Sequence, residues 1–314
     1  MSKVKAEAWV YLIVLSLIWG SSFILMKKGL EAYPPAQMAT LRICFAGFCL
    51  LPVAINHFKK ITRKQLFYIF LFGLTNSAVP AFLFATSETV VSSSTAGILN
   101  SLTPIFTLLV GIMFFKQPFS FFGFAGVLIG FGGAAMLVFY GSNSDNIVHS
   151  EHSAVLFAGL IVIATICYGF ASNIVKNHLQ EVKGYIVSAF SYLIFAIPLI
   201  IWLLFFSDFQ KRVVQHPEGI HSLLYIAILG IMGSAFAIIL VVRVIQVSNA
   251  LFASFVTYLI PIVSILWGLL IGESINIITI ISLVIILTGI VVAQFKKDNH
   301  NNELKETLGP KESF

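Results

Sequence analysis

The sequence predicts an all-α membrane protein of ten transmembrane helices, arranged as two inverted five-helix repeats with both termini cytoplasmic. Three observations carry that prediction. Of the 314 residues, 58% are hydrophobic and only 10% charged, with a mean hydropathy of +0.96; a soluble domain is about a quarter charged and could not cover itself with so few polar groups. Apolar runs recur at about 20 residues, the length that crosses the hydrocarbon. The second half of the chain repeats the first in register. The net charge of +6 sits on Lys and Arg in short loops between apolar blocks, which is a topology signal and not a nucleic-acid footprint.

The first span, Trp9 to Met26, follows Lys3 and Lys5 but lacks the small-residue cleavage pattern of a signal peptide, so it reads as a mature helix. Pro35 to Asn56, Leu66 to Thr86, Val90 to Phe115 and Phe121 to Tyr140 complete the first five. Ala154 to Asn177, Gly184 to Phe206, Ser222 to Val242, Ser248 to Ile271 and Ile275 to Phe295 form the second five. The loops are mostly short enough to make consecutive helices antiparallel neighbours. Residues 1–140 and 154–296 are thus the two repeats, joined by an external linker at 141–153. The polar tail at 297–314 is expected to be disordered from Asp298.

Orientation follows from charge. The segment His57 to Lys64 carries Lys59, Lys60, Arg63 and Lys64, whereas Gly141 to Ser153 has no Lys or Arg, so the first is expected inside and the second outside. Lys296, Lys297, Lys305 and Lys311 agree, and only Lys27, Lys28, Lys211 and Arg212 oppose this orientation. The chain then reads as a multi-pass protein of a bacterial cytoplasmic membrane. Cys44, Cys49 and Cys167 fall inside apolar runs and read as small core residues.

Shifted by 157 positions, Leu66 to Val138 lands on Leu223 to Phe295 without a gap, pairing Gly73 with Gly230, Ser77 with Ser234, Pro104 with Pro261 and Gly111 with Gly268. The opening helices match at a shift of 149, where Ser16, Gly20 and Lys27 meet Thr165, Gly169 and Lys176, with Trp19 opposite Tyr168. Five spans per half is an odd number, so the second half enters the membrane from the other side. Inverted repeats of this kind rock about a site near the bilayer midplane.

WGSSF with a following Lys, the MATLR opening of the second span and AGILNSLTPIFTLLVG recur as YGFAS, ASFVTYLIPIVSILWG and the closing GES. Together with ten spans in two halves, this pattern resembles the EamA-like branch of the drug/metabolite transporter superfamily. The resemblance reaches Phe295 and implies a central cavity and transport, commonly export, of amino acids or other small metabolites. One departure is visible: where the family usually has an acid after the fourth helix this chain has Lys116, while Glu273 keeps the acid in the second half.

The fourth span carries a small or polar stripe, Ser93, Ala96, Asn100, Thr103, Thr107 and Gly111, whose mate is Ala250, Ala253, Thr257, Ile260, Ser264 and Gly268. Pro104, Pro261 and Pro80 cannot donate to the carbonyls of Asn100, Thr257 and Asn76, so these carbonyls need a neighbouring hydroxyl, a wet cavity or a ligand. The expected substrate-binding set is Trp19, Asn76, Asn100, Thr103, Tyr168, Ser172, Thr257 and Tyr258; for Trp19 and Tyr168 a cavity wall and plain core packing fit equally. Gly20 and Gly169 read as close-packing positions. Arg42 is the one charge well inside a span and is expected to pair with Glu88, which would hold that acid ionised; Lys27 and Lys176 are the remaining structural or coupling charges. Gly126 with Gly130 and Gly268 with Gly272 suit helix packing and also fit a homodimer contact.

No catalytic set and no cofactor motif appears. No helix carries paired His for a metal, no nucleophile and base share a depth, and no phosphate loop exists; His149, Glu151 and His152 read as a solvated cluster. The expected partners are membrane lipid and a small molecule. The function read from the sequence is a secondary transporter moving a small neutral or zwitterionic metabolite, an amino acid by first choice and outward by first choice, through alternating access. A sugar-phosphate or nucleotide-sugar exchanger, an intramembrane enzyme and a non-transporting scaffold are the rivals.

Overall fold

An apolar backbone segment in lipid must satisfy its own N–H and C=O groups, which a helix does internally, and every regular element among the described residues is helical. The computed structural model describes residues 3–117, 121–140, 151–247, 256–273 and 275–307. The linker at 141–150, Ala250, Ala253, the tail beyond Thr307 and the side chain of Tyr258 lie outside that description.

The helices are α1 (Lys3–Leu30), α2 (Pro35–Cys49), α3 (Leu51–His57), α4 (Arg63–Gly73), α5 (Val79–Ser87), α6 (Ser93–Asn100), α7 (Thr103–Phe115) and α8 (Phe121–Tyr140). After the linker come α9 (Glu151–His178), α10 (Gly184–Phe205), α11 (Phe209–Gln215), α12 (Gly219–Ile228), α13 (Ala237–Val247), α14 (Val256–Leu270) and α15 (Ile277–Thr307). Seven helical segments among the described residues are long and apolar enough to cross a membrane, and α2 with the segment Leu51–Lys60, bent by 52°, makes an eighth. Two shorter apolar helices, Leu259–Leu270 and Ile277–Val292, stand where the sequence reads its ninth and tenth spans. The protein is a multi-pass membrane protein. Its outer face agrees: Phe139, Phe205, Phe206 and Leu270 are all largely exposed, a surface that suits lipid and not water.

Prolines and π turns divide the spans. In α4 to α5 a π turn at Leu74–Ala78 precedes Pro80, absorbing the hydrogen bond that the proline cannot make. A second π turn, Leu229–Phe236, joins α12 to α13 at the matching place of the repeat, although Ala237 stands there instead of a proline. Pro104 and Pro261 behave differently from each other. The first follows a turn at Ser101 and Leu102 that separates α6 from α7, whereas the second lies inside a continuous α14. At the tail, α15 runs on to Thr307 where disorder was expected from Asp298; once a long helix is nucleated, Lys, Glu and Leu extend it at little cost.

The most extensive pairings join the two sequence halves: α8 along α15, α2 along α10, α7 along α9 and α1 along α14. Small residues make them possible. A Cβ at Gly289 would come within 2.6 Å of Gly126 O and Gly130 N, so the Gly126/Gly130 face is occupied by α15 of the same chain. Gly20 packs against Val263, and a Cβ at Gly169 would lie 2.9 Å from the Phe106 carbonyl, which is the close-packing role expected of both. Cys44, Cys49 and Cys167 are unpaired.

Candidate functional site

The polar groups collect at two ends and a middle. At one end α1 brings Lys27, the turn after α14 brings Glu273 and the start of α6 brings Ser93 and Ser94. The Lys27 Nζ donates to Glu273 Oε1 at 2.9 Å. The same carboxylate accepts from Ser93 N at 2.9 Å, from Ser94 N at 3.1 Å and from Ser94 Oγ at 2.7 Å. The first N–H groups of a helix have no partner within it, and a carboxylate there meets both donors and the positive end of the dipole. Burial alone would raise the Glu273 carboxyl, but the Ser94 hydroxyl, the Lys27 charge and the Ser93 amide together hold it below the usual carboxylate range. Gly272, at φ +85°, turns the chain so that Glu273 points back.

The other end uses amides. Lys116, at φ 54°, ends α7 in the left-handed region, and the next residue, Gln117, donates from Nε2 to Asn173 Oδ1 at 2.9 Å. Asn173 Nδ2 donates in turn to the carbonyls of Thr107 and Gly169, both at 2.9 Å. Left-handed Lys116 matches left-handed Gly272, so Gln117, and not Lys116, is the counterpart of Glu273. The ungapped 157-residue register hid this because the two turns differ by one residue. Gln117, Asn173, Ser94 and Ser234 were missed as functional residues. A buried Asn inside a predicted span was the available signal for Asn173, and the Ser-x-x-Thr cap at Ser92 and Thr95 for the start of α6.

In the middle, Trp19 Nε1 donates 3.0 Å to the carbonyl of Gly233, inside the second π turn. Phe23, Phe84 and Tyr168 form a row of rings across α1, α5 and α9, with centroid separations of 6.0 and 6.1 Å. Asn100 ends α6, and its Oδ1 is buried without a hydrogen-bond partner among the described residues. Its backbone carbonyl, released by Pro104, accepts from Thr103 Oγ1 at 2.7 Å, so a neighbouring hydroxyl satisfies it. Ser172 Oγ likewise donates to the Tyr168 carbonyl at 2.9 Å. Asn76 Nδ2 reaches Ser77 Oγ at 3.4 Å within the first π turn. Thr257 is buried and Lys176 exposed.

The expected Arg42–Glu88 pair is absent. Arg42 Nε donates to Ser234 Oγ at 2.8 Å and its Nη1 to the Met26 sulfur at 3.6 Å, because α2 packs against the π turn that carries Ser234. Glu88 is 3% exposed, and neither carboxyl oxygen has a hydrogen-bond partner among the described residues.

A chain of broken helices with polar latches at both ends is suited to moving a solute. The model of the EamA-like transporter family matches residues 7–139 and again 155–294. This chain belongs to the EamA-like transporter family. Its relatives include an uncharacterized transporter of Archaeoglobus fulgidus, 24% identical over 93% of this chain and 100% of that one. The uncharacterized transporter YdfC of Bacillus subtilis is 25% identical over 90% of both chains. The uncharacterized inner membrane transporter YedA of Escherichia coli K12 is 27% identical over 91% of this chain and 90% of that one. A solved crystal structure shares the fold with a TM-score of 0.63, at 16% identity, over 94% of this chain and 98% of that one. The EamA-like protein is a secondary transporter of a small molecule; no group of three or more His, Cys, Asp or Glu able to hold a metal occurs among its described residues.

Proposed function

We propose that this EamA-like transporter exports a small zwitterionic metabolite, an amino acid by chemistry, from a bacterial cytoplasm by alternating access between two inverted five-helix repeats. The carrying observation is Asn100: a buried amide oxygen without a partner among the described residues, at the break between α6 and α7. An unpartnered buried acceptor is costly, and a substrate ammonium offset by its own carboxylate would satisfy it. The Asn100 amide nitrogen, Thr103, Trp19, Asn76, Ser172, Tyr168, Thr257 and Tyr258 complete the proposed site, with the carbonyl released by Pro261 as a further acceptor.

The helix pairings support the repeat reading, since α1 with α14 is answered by α9 with α7 when the halves are exchanged. The two matched stretches of the family model support it as well. Three of the four charges that oppose cytoplasmic termini are offset by acids: Lys27 by Glu273, Lys28 by Glu31 and Arg212 by Asp208. A dianionic sugar phosphate fits less well, because Lys27 and Arg42 are already engaged.

Reconstituted protein loaded with a mixture of labelled amino acids should exchange them across the vesicle wall. Asn100→Leu should slow that exchange while leaving the melting temperature near wild type; equal exchange by the variant would overturn the site. A thiol at Ser144 should react with an impermeant maleimide in intact cells and one at Ser313 should not, and the opposite pattern would reverse the orientation.

A further inference from the structure

The charged end holds one group that the latch does not use. Glu88 follows Ser87, the last residue of α5, and is almost fully buried, with both oxygens unpartnered among the described residues. Three charged groups act on it from other elements: Lys27 from α1, Arg42 from α2 and Glu273 from the turn after α14. Neither Lys27 nor Arg42 comes within 4.0 Å of its oxygens, since the first is spent on Glu273 and the second on Ser234 and Met26. From α9, Ser87 takes the Phe157 carbonyl and Tyr168 stacks on Phe84. The side chains of Glu151 and His152 at the start of α9 lie outside the described residues. Ser93 Oγ, at the helix start that holds Glu273, is also buried without a partner among the described residues.

An ionised carboxylate buried with no donor is among the most expensive arrangements in a protein, and such a group takes up a proton instead. Glu273 and Glu88 share one nearby lysine, and all of its hydrogen bonding goes to Glu273. Building on the transporter reading above, we propose that Glu88 is a proton-binding site that controls the Lys27–Glu273 latch. With the proton on Glu88, Lys27 stays with Glu273 and α6 is held at its first turn. When Glu88 gives its proton to water, the new carboxylate competes for Lys27 and Arg42 and the latch opens. The ligand is a proton, and proton binding is thereby tied to which side of the transporter is closed. Burial, opposed by the Lys27 charge, holds the Glu88 carboxyl well above the usual carboxylate range, in line with this arrangement.

Infrared difference spectra of the purified protein between acid and alkaline pH should contain a protonated-carboxyl band that Glu88→Gln removes. In a background with Cys44, Cys49 and Cys167 replaced by Ala, a thiol at Ala96, which is fully buried on α6, should react faster with a water-soluble thiol reagent as pH rises. Glu88→Gln should leave only the smaller rise with pH that thiolate formation gives by itself. Glu273→Gln frees Lys27 for Glu88, so the band should vanish at a pH lower by about 1 to 3 units; this variant keeps the test alive should Glu88→Gln fail to fold. A band that survives Glu88→Gln, labelling whose pH dependence is the same with and without Glu88→Gln, or an unmoved midpoint in Glu273→Gln would each overturn the proposal. None of these readings needs flux, so a failure of the amino-acid exchange assay bears on the transport reading alone.

Discussion

The two ends of the molecule occupy matching places in the sequence repeat and are closed by different chemistry. At one, a carboxylate gathers a lysine, two helix-start amides and a hydroxyl. At the other, a glutamine and an asparagine link α7 to α9 through neutral amide bonds to one another and to two carbonyls. The charged end concentrates four donors on one side chain, so its strength depends on a single residue and on that residue's ionisation. The neutral end spreads its bonds over two residues, neither of which titrates. Salt and pH are therefore expected to act on the charged end and to leave the neutral one unchanged.

The comparison breaks most sharply at Glu273. Glu273→Ala removes the acceptor of Ser93 N, Ser94 N and the Ser94 hydroxyl and releases Lys27, and is expected to cost about 2–4 kcal/mol, the sum of a lost helix cap and a charged hydrogen bond. Thermal denaturation in detergent reads this directly, and a loss equal to that of Gln117→Ala would erase the distinction between the ends. Gln117→Ala should cost about 1 kcal/mol, because one neutral bond is lost and Asn173 keeps its two carbonyls.

A double-mutant cycle sharpens the same point. Lys27→Met with Glu273→Gln should show a coupling of about 0.5–1.5 kcal/mol, modest because the Lys27 side chain is 38% exposed, and it should shrink in high salt. Coupling between Gln117→Ala and Asn173→Ala should be of similar size and indifferent to salt. Reversed salt dependence would mean that the two latches have been assigned the wrong chemistry.

The smallest effect is that of acid. Since the folded Glu273 carboxyl lies below its unfolded value of about 4.3, its contribution is complete above that pH and is lost as pH falls through the folded value. Compared in the Glu88→Gln background, the stability difference between Glu273 and Gln at that position should therefore narrow below about pH 4. The penalty of Gln117→Ala should stay level over the same range.

Much of this was legible in the residues. Composition and run length gave a multi-pass helical protein because lipid permits few alternatives, and the order of Gly and Pro motifs gave the family. Pro80 and Pro104 marked where helices would be interrupted, although Pro261 lies in an unbroken helix, and the small-residue stripes marked where helices would touch. The failures share a cause. Arg42 was assigned to Glu88 because both were charges near one end of the first half, yet side chains choose partners by packing, and α2 lies against the π turn carrying Ser234. Lys116 was set opposite Glu273 by a register that one extra residue in a turn displaced.

The sequence by itself determined the helical membrane class, the repeat and the residue types at each end, because these follow from periodicity, length and the cost of polar groups in lipid. Only the tertiary structure decided which carboxylate obtained the lysine. Glu273 and Glu88 are the same residue type, but one is carried by the turn after α14 onto the open start of α6, and the other is buried past the end of α5 with no donor in reach among the described residues. That difference arises from contacts between elements 180 residues apart, a distance across which no local pattern in the chain carries information.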